Sequence, residues 1–149
     1  MISIKCNSGE ELGGQYRGGL GRVVITNGTV FDAVATLVDN SSETPRRAIY
    51  IRQQESGSIT SIPPGHYRLQ FQLGTDWLTE RRFCRLSGSS EFVDTFDYAE
   101  VKSDKGIKYS THEVTLHPVK EGKAKVRKLE NSRFILPPPE LTNESTSCD

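Results

Sequence analysis

The chain has 149 residues, with 19 basic and 19 acidic side chains, 34% apolar residues and 8% aromatics. That length suits one domain built on one core, in which roughly two-thirds of the extended-chain surface can be buried. Zero formal net charge argues against a surface built throughout to bind polyanions, and no apolar run approaches the ~20 residues needed to span a bilayer.

The opening residues Met1-Ile2-Ser3-Ile4-Lys5-Cys6 show no basic stretch leading into an apolar one. No secretory signal is read, and a cytoplasmic location is expected. Cys6, Cys84 and Cys148 make an odd count, which is poor material for a disulfide framework and fits a reducing compartment. Asn27, Asn40 and Asn143 each head an Asn-x-Ser/Thr sequon. Such a sequon acts only in a secreted chain, so none is read as glycosylated. Residues 1–19, rich in Gly, Ser and charge without a sustained period, are expected to form a flexible arm.

From residue 20 the period is two. Arg22-Val23-Val24-Ile25-Thr26 is a β-branched run closed by the turn signal Asn27-Gly28. Ala33, Ala35 and Leu37 alternate with Val34, Thr36 and Val38, a strand apolar on both faces. A loop is expected from Asp39 to Arg46, then strands at Ala48 to Ile51 and Ser58 to Ile62. Pro63-Pro64-Gly65 makes a turn, since Pro fixes φ and Gly permits a positive one. It launches Tyr67, Leu69, Phe71 and Leu73 in alternation with His66, Arg68, Gln70 and Gln72. That pattern predicts a half-buried antiparallel strand. Phe92, Phe96 and Tyr98 keep the same period, a long strand is expected from Ile107 to Leu116, and a last one from Lys123 to Leu129. Seven or eight short strands between Gly/Pro/Ser turns predict an all-β fold: a single antiparallel β-sandwich over residues 20–136. Residues 137–149 open on Pro137-Pro138-Pro139, carry three acids, and are expected to be a disordered tail.

Spaced chemistry is scarce. His112 and His117 stand five apart in a strand, which points them to opposite faces roughly 16 Å apart. No Cys-x-x-Cys or His-Glu-x-x-His spacing occurs, so no metal site and no cofactor are expected. There is no Gly-x-Ser-x-Gly elbow. Arg81, Arg82 and Arg85 around Cys84 could lower its thiol pKa, but the plainer reading packs Cys84 as a small hydrophobe beside Phe83. The glycines from Gly13 to Gly21 precede a strand, whereas a phosphate loop needs a helix start. The acid pairs Asp94 with Asp97 and Asp76 with Glu80 have no evident apolar pocket to raise one pKa. An enzyme is not expected.

Charge and aromatics offer binding features instead. Four acids and no bases lie from Glu91 to Glu100, whereas nine bases face four acids from Val101 to Arg133. Lys123, Lys125 and Arg127 share one strand face, the kind of stripe that binds phosphates. No aromatic interleaves it, and cations that deter pairing at a sheet edge are the simpler account. Trp77, beside Asp76 in an expected loop from Gly74, is a candidate platform for a partner or a sugar, together with Tyr50 or Tyr109. Capping the core is the plainer role for Trp77.

The segments Gly21-Arg22-Val23, Asp32-Ala33-Val34-Ala35-Thr36-Leu37 and Ile59 to Leu69, with its Ile62-Pro63-Pro64-Gly65-His66-Tyr67 corner, occur in that order. Over residues 20 to 75 the chain resembles the carboxypeptidase regulatory-like group of transthyretin-type β-sandwiches. It departs from that group at Gln54-Glu55-Ser56-Gly57, where a Thr-Asp-x-x-Gly hairpin is usual, and in its long charged second half. The resemblance implies an accessory module without catalysis, and a turn and corner-packing role for Pro64, Gly65 and Tyr67. The function read from the sequence is therefore a non-enzymatic module that binds a protein partner through its loops, Trp77 and Asp76 among them. A carbohydrate-binding module using exposed aromatics, and a weak polyanion binder using the basic stripe, are the alternatives.

Overall fold

The computed structural model describes residues 6–116 and 126–138, which are essentially all β. The strands are β1 (Glu10–Glu11), β2 (Gly21–Asn27), β3 (Asp32–Asp39), β4 (Thr44–Ile51), β5 (Ser56–Ile62), β6 (Gly65–Trp77), β7 (Phe83–Phe92), β8 (Phe96–Tyr98), β9 (Glu100–Ser103), β10 (Gly106–Tyr109), β11 (Thr111–Leu116) and β12 (Val126–Leu129). A 3-10 turn follows at Asn131–Arg133. Among the described residues no helix is long and apolar enough to cross a membrane.

These strands form three sheets, not the one clean sandwich of seven or eight strands that the period suggested. The largest has seven strands in the order β1-β4-β3-β6-β7-β12, with β8 also paired to β6. A three-stranded sheet runs β11-β2-β5, with β11 parallel to β2, and β9 and β10 make a sheet of their own. The excess over the expected count has local causes. Ser110 breaks the run from Ile107 to Leu116, so β10 joins the hairpin while β11 joins β2. The expected loop from Asp39 shortens because β4 starts at Thr44, with Asp39 Oδ1 accepting from the Ser41 N–H at 3.0 Å to tighten the turn.

The seven-stranded and three-stranded sheets share one core. Ala33, Ala35 and Leu37 of β3, Ile49 and Ile51 of β4, and Tyr67, Leu69 and Phe71 of β6 pack with Val23, Ile25, Ile59 and Ile62 of the smaller sheet. Antiparallel register puts Leu37 opposite Leu69 and Ala35 opposite Phe71, so every second side chain reaches the same layer. At the corner before β6 the buried Tyr67 donates its hydroxyl to the Pro63 carbonyl at 2.7 Å.

Asn27, expected only as a turn signal, is fully buried and pins that turn from inside. Its amide donates to the carbonyls of Phe31 and Ile51, and its Oδ1 accepts from the N–H and hydroxyl of Thr29. The first sequon is thus structural in the folded chain. Cys6 is buried and disulfide-bonded, which departs from the reading of the odd cysteine count. Cys84 is free and exposed and is not packed beside Phe83, because Phe83 turns inward and its strand neighbour must turn outward.

The outer face of the large sheet is also covered. Trp77, Phe83, Tyr50, Val34 and Ala48 form a second apolar cluster with Leu12 and Cys6, and Phe134 and Leu136 pack against it. Gln70 and Gln72, expected on a wet face, are buried there, and Gln70 Oε1 accepts the Ile135 N–H at 3.3 Å. The segment expected as an arm contributes β1, which pairs with β4, and Leu12. At Gly14, φ is +92° and a Cβ would collide with the Arg46 carbonyl oxygen, so only glycine lets this segment lie so close.

Three of the five tyrosines are buried, and burial pushes the hydroxyls of Tyr50, Tyr67 and Tyr98 well above the usual tyrosine range. Below pH about 10 folded and unfolded chains both hold these protons, and stability is full. Above it the unfolded chain releases them while the native chain retains them, so stability falls as pH rises. We expect the urea midpoint to drop steeply above pH about 10, with tyrosinate absorption of these three rings appearing together with loss of the β circular-dichroism signal. Titration of these three rings near pH 10 in a chain that stays folded would contradict this burial.

Candidate partner-binding surface

The hairpin β9–β10 is the part of the described chain that gives least surface to the core. Its turn is Asp104-Lys105, followed by Gly106 at φ +126°, a conformation that side chains resist. The Ser103 hydroxyl closes it, accepting the Lys105 N–H and donating to the Gly106 carbonyl, both at 3.3 Å. Register pairs Glu100 with Tyr109, Val101 with Lys108 and Lys102 with Ile107. Directly opposed residues share a face. One face therefore carries Glu100, Lys102, Ile107 and Tyr109, and the other carries Val101 and Lys108.

Every residue from Val101 to Tyr109 is exposed, including Val101 at 59%, Ile107 at 43% and Tyr109 at 52%. A lone exposed apolar residue needs no explanation, but Ile107 and Tyr109 stand together on one face of this short ribbon, with Val101 on the other. A two-stranded ribbon without a covered face is marginal by itself in water. Here its base is fixed. The Ala99 N–H donates to the Ser110 hydroxyl at 3.0 Å, the Leu20 N–H to Glu100 Oε2 at 2.8 Å, and the Tyr98 hydroxyl to the Arg22 carbonyl at 3.1 Å. His112 lies edge-on to Tyr98 and Phe96, with Nε2 2.9 Å from the Asp97 carbonyl. On the other side of β8, His66 Nδ1 lies 2.7 Å from Asp97 Oδ1, and this hydrogen bond holds the Asp97 carboxyl below the usual carboxylate range.

The residues singled out from the sequence are dispersed. Tyr109 sits on the hairpin. Trp77 and Tyr50 are each 2% exposed, with ring centroids 5.9 Å apart in an edge-on pair, so neither offers a face to a ligand. The expected loop at Gly74 is strand: β6 runs on to Trp77, paired with Phe83 of β7. Asp76 is exposed, holds φ at 60°, and lies 3.9 Å from Arg85 across an exposed ion pair. That left-handed residue breaks the alternation, and Trp77 joins the outer cluster instead of the layer of Leu73. Lys123 and Lys125 lie outside the described residues. Arg127 stands on the edge strand β12, and its Nε and Nη2 donate to Oε1 of the buried Glu91 at 3.1 and 2.9 Å. Arg68 Nη1, at 3.4 Å, and Gln70 Nε2, at 3.3 Å, face the second oxygen of Glu91. The buried Glu91 carboxylate is thereby neutralised by Arg127 and Arg68.

Val101 and Ile107 escaped the sequence reading, although Ser103-Asp104-Lys105-Gly106, just before the expected strand from Ile107, carries turn chemistry that marks a hairpin there. Among the described residues no group of three or more His, Cys, Asp or Glu side chains gathers as a metal site would require. No protein-family model, curated protein or solved structure matches this chain.

Proposed function

We propose that the chain is a non-enzymatic interaction module, built as a β-sandwich of the transthyretin-like kind, that binds a protein partner through the hairpin β9–β10. The carrying observation is the ribbon itself: a firmly based hairpin whose Val101, Ile107 and Tyr109 stand in solvent. Covering such side chains is favourable by roughly 25 cal/mol per Å² of apolar area, and a protein surface supplies that cover. The sandwich plan is supported by two sheets over one core and by the Pro63–Tyr67 corner. A sugar-binding role is left with Tyr109 as its one exposed candidate ring, and sugar platforms draw on stacked rings.

The test is a photo-crosslinking residue placed at Ile107 and, as control, at exposed Gln53. With both variants melting like wild type, illumination in cell extract should give discrete protein adducts from position 107 and none from position 53. Absence of adducts at 107, or equal labelling at both positions, would overturn the proposal.

A further inference from the structure

We infer that the partner of this hairpin is a second copy of the same chain, joined through the open edge of β9 about a two-fold axis at Val101. The inference rests on the hairpin being the binding surface and adds what it binds.

The backbone supplies the first part of the argument. Ala99 directs its N–H and C=O toward Ser110, on the β10 side. Orientation alternates along a strand, so Val101 and Ser103 also face β10. Glu100 and Lys102 direct their N–H and C=O groups to the other edge, where no strand lies among the described residues. An unpaired edge of this kind is a template for another strand.

The side chains select the strand. In an antiparallel pair related by a two-fold axis, one residue faces its own copy and its neighbours face each other's. With Val101 at the axis, Val101 meets Val101, and Glu100 of each chain faces Lys102 of the other. Two opposite-charge pairs form, and the outward groups of Glu100 and Lys102 exchange four backbone hydrogen bonds. Axes at Ser103 or Gly106 bring opposite charges together only through Asp104, which lies in the turn outside both strands and cannot extend the ladder. The remaining centres fail on charge. An axis at Lys102 stacks two lysines and sets Glu100 against Asp104, and one at Glu100 stacks two carboxylates. On β10, an axis at Lys108 opposes two lysines, and one at Ile107 or Tyr109 brings no opposite charges together. Self-recognition through β9 is thus written in Glu100-Val101-Lys102. The resulting sheet has the order β10-β9-β9-β10 and places Ile107 and Tyr109 of both copies on one face. Four residues of edge make a small interface, below the size of stable complexes, so the dimer is weak and concentration-dependent.

The decisive experiment is a charge swap read by sedimentation velocity over about 10 to 500 µM. Wild type should pass from monomer to dimer. Glu100→Lys opposes lysine to Lys102, and Lys102→Glu opposes glutamate to Glu100, twice per dimer. Each should weaken self-association by about tenfold or more. The double variant Glu100→Lys/Lys102→Glu should regain it to within about threefold, and an equimolar mixture of the two single variants should form a heterodimer. Because Glu100 also accepts the Leu20 N–H, folding of that variant is checked by melting. Lys102→Glu, on an exposed side chain, carries the test independently. A monomer at every concentration, or single variants that dimerise like wild type, would overturn the inference. If position 107 still crosslinks to a protein of different mass, the interaction-module reading stands while this one falls.

Discussion

Trp77→Ala should destabilise the chain by about 3–5 kcal/mol, the usual cost of removing a buried aromatic and leaving a cavity. Trp77 is 2% exposed, and its ring centroid lies 4.9 Å from that of Phe83 and 5.9 Å from that of Tyr50, both edge-on. Aromatic pairs in that arrangement add to the burial term. Trp77→Phe keeps part of the volume and both ring contacts, so it should cost only about 1–2 kcal/mol. Urea unfolding measures both. Trp77 is the single tryptophan, so its emission should be that of a shielded indole in the native state and shift to the red with the unfolding transition. A loss under about 1 kcal/mol for Trp77→Ala, or native emission like that of free indole, would place the ring in water and reopen the sugar reading.

A loss of similar size, about 3–5 kcal/mol, is expected for Arg47→Ala, because truncation leaves buried partners without their donor. Arg47 is 1% exposed and reaches from β4 across the core. Its Nε and Nη2 bind the Glu11 carboxylate at 3.2 and 2.7 Å, and its Nη1 donates to the carbonyls of Thr60 and Tyr16 at 2.8 and 3.3 Å. One guanidinium thereby ties β1, β5 and the segment between β1 and β2 to the large sheet. Since Glu11 is partly exposed, water relieves some of its loss, and the figure belongs at the lower end of the range. Arg47→Lys retains the charge but cannot form the two-pronged contact, so it should fall between Ala and wild type. Denaturation curves of the three proteins rank them. Equal stability of Arg47→Ala and wild type would show that these bonds contribute nothing net.

Much of the frame was legible before any coordinates. Alternation in Ala33 to Val38 and in His66 to Leu73 marked β3 and β6, and their register is the one such alternation demands. The Pro63-Pro64-Gly65 corner was marked by residues whose backbone preferences are local. The hairpin was half legible. Tyr109 was singled out, but Ile107 to Leu116 read as one strand, because period alone does not say that Ser110 sends its two halves to different sheets. The buried charges were invisible. Arg47 and Glu91 look like any surface residue until their partners, 36 positions away in each case, are brought to them.

Amino-acid order by itself determined that this chain is all β, where most of its strands lie, and which of their faces are apolar. Those properties depend on steric preferences of single residues and on a two-residue repeat, both local. Only the tertiary structure decided what covers each face. Residues 131–138 lie over Gln70 and Gln72, Asp76 turns Trp77 into the outer cluster, and Val101, Ile107 and Tyr109 are left uncovered. Burial is a property of pairs distant along the chain, set by sheet order and by which segments return to pack. A strand's own pattern states that a face needs cover and is silent about whether that cover comes from the same molecule.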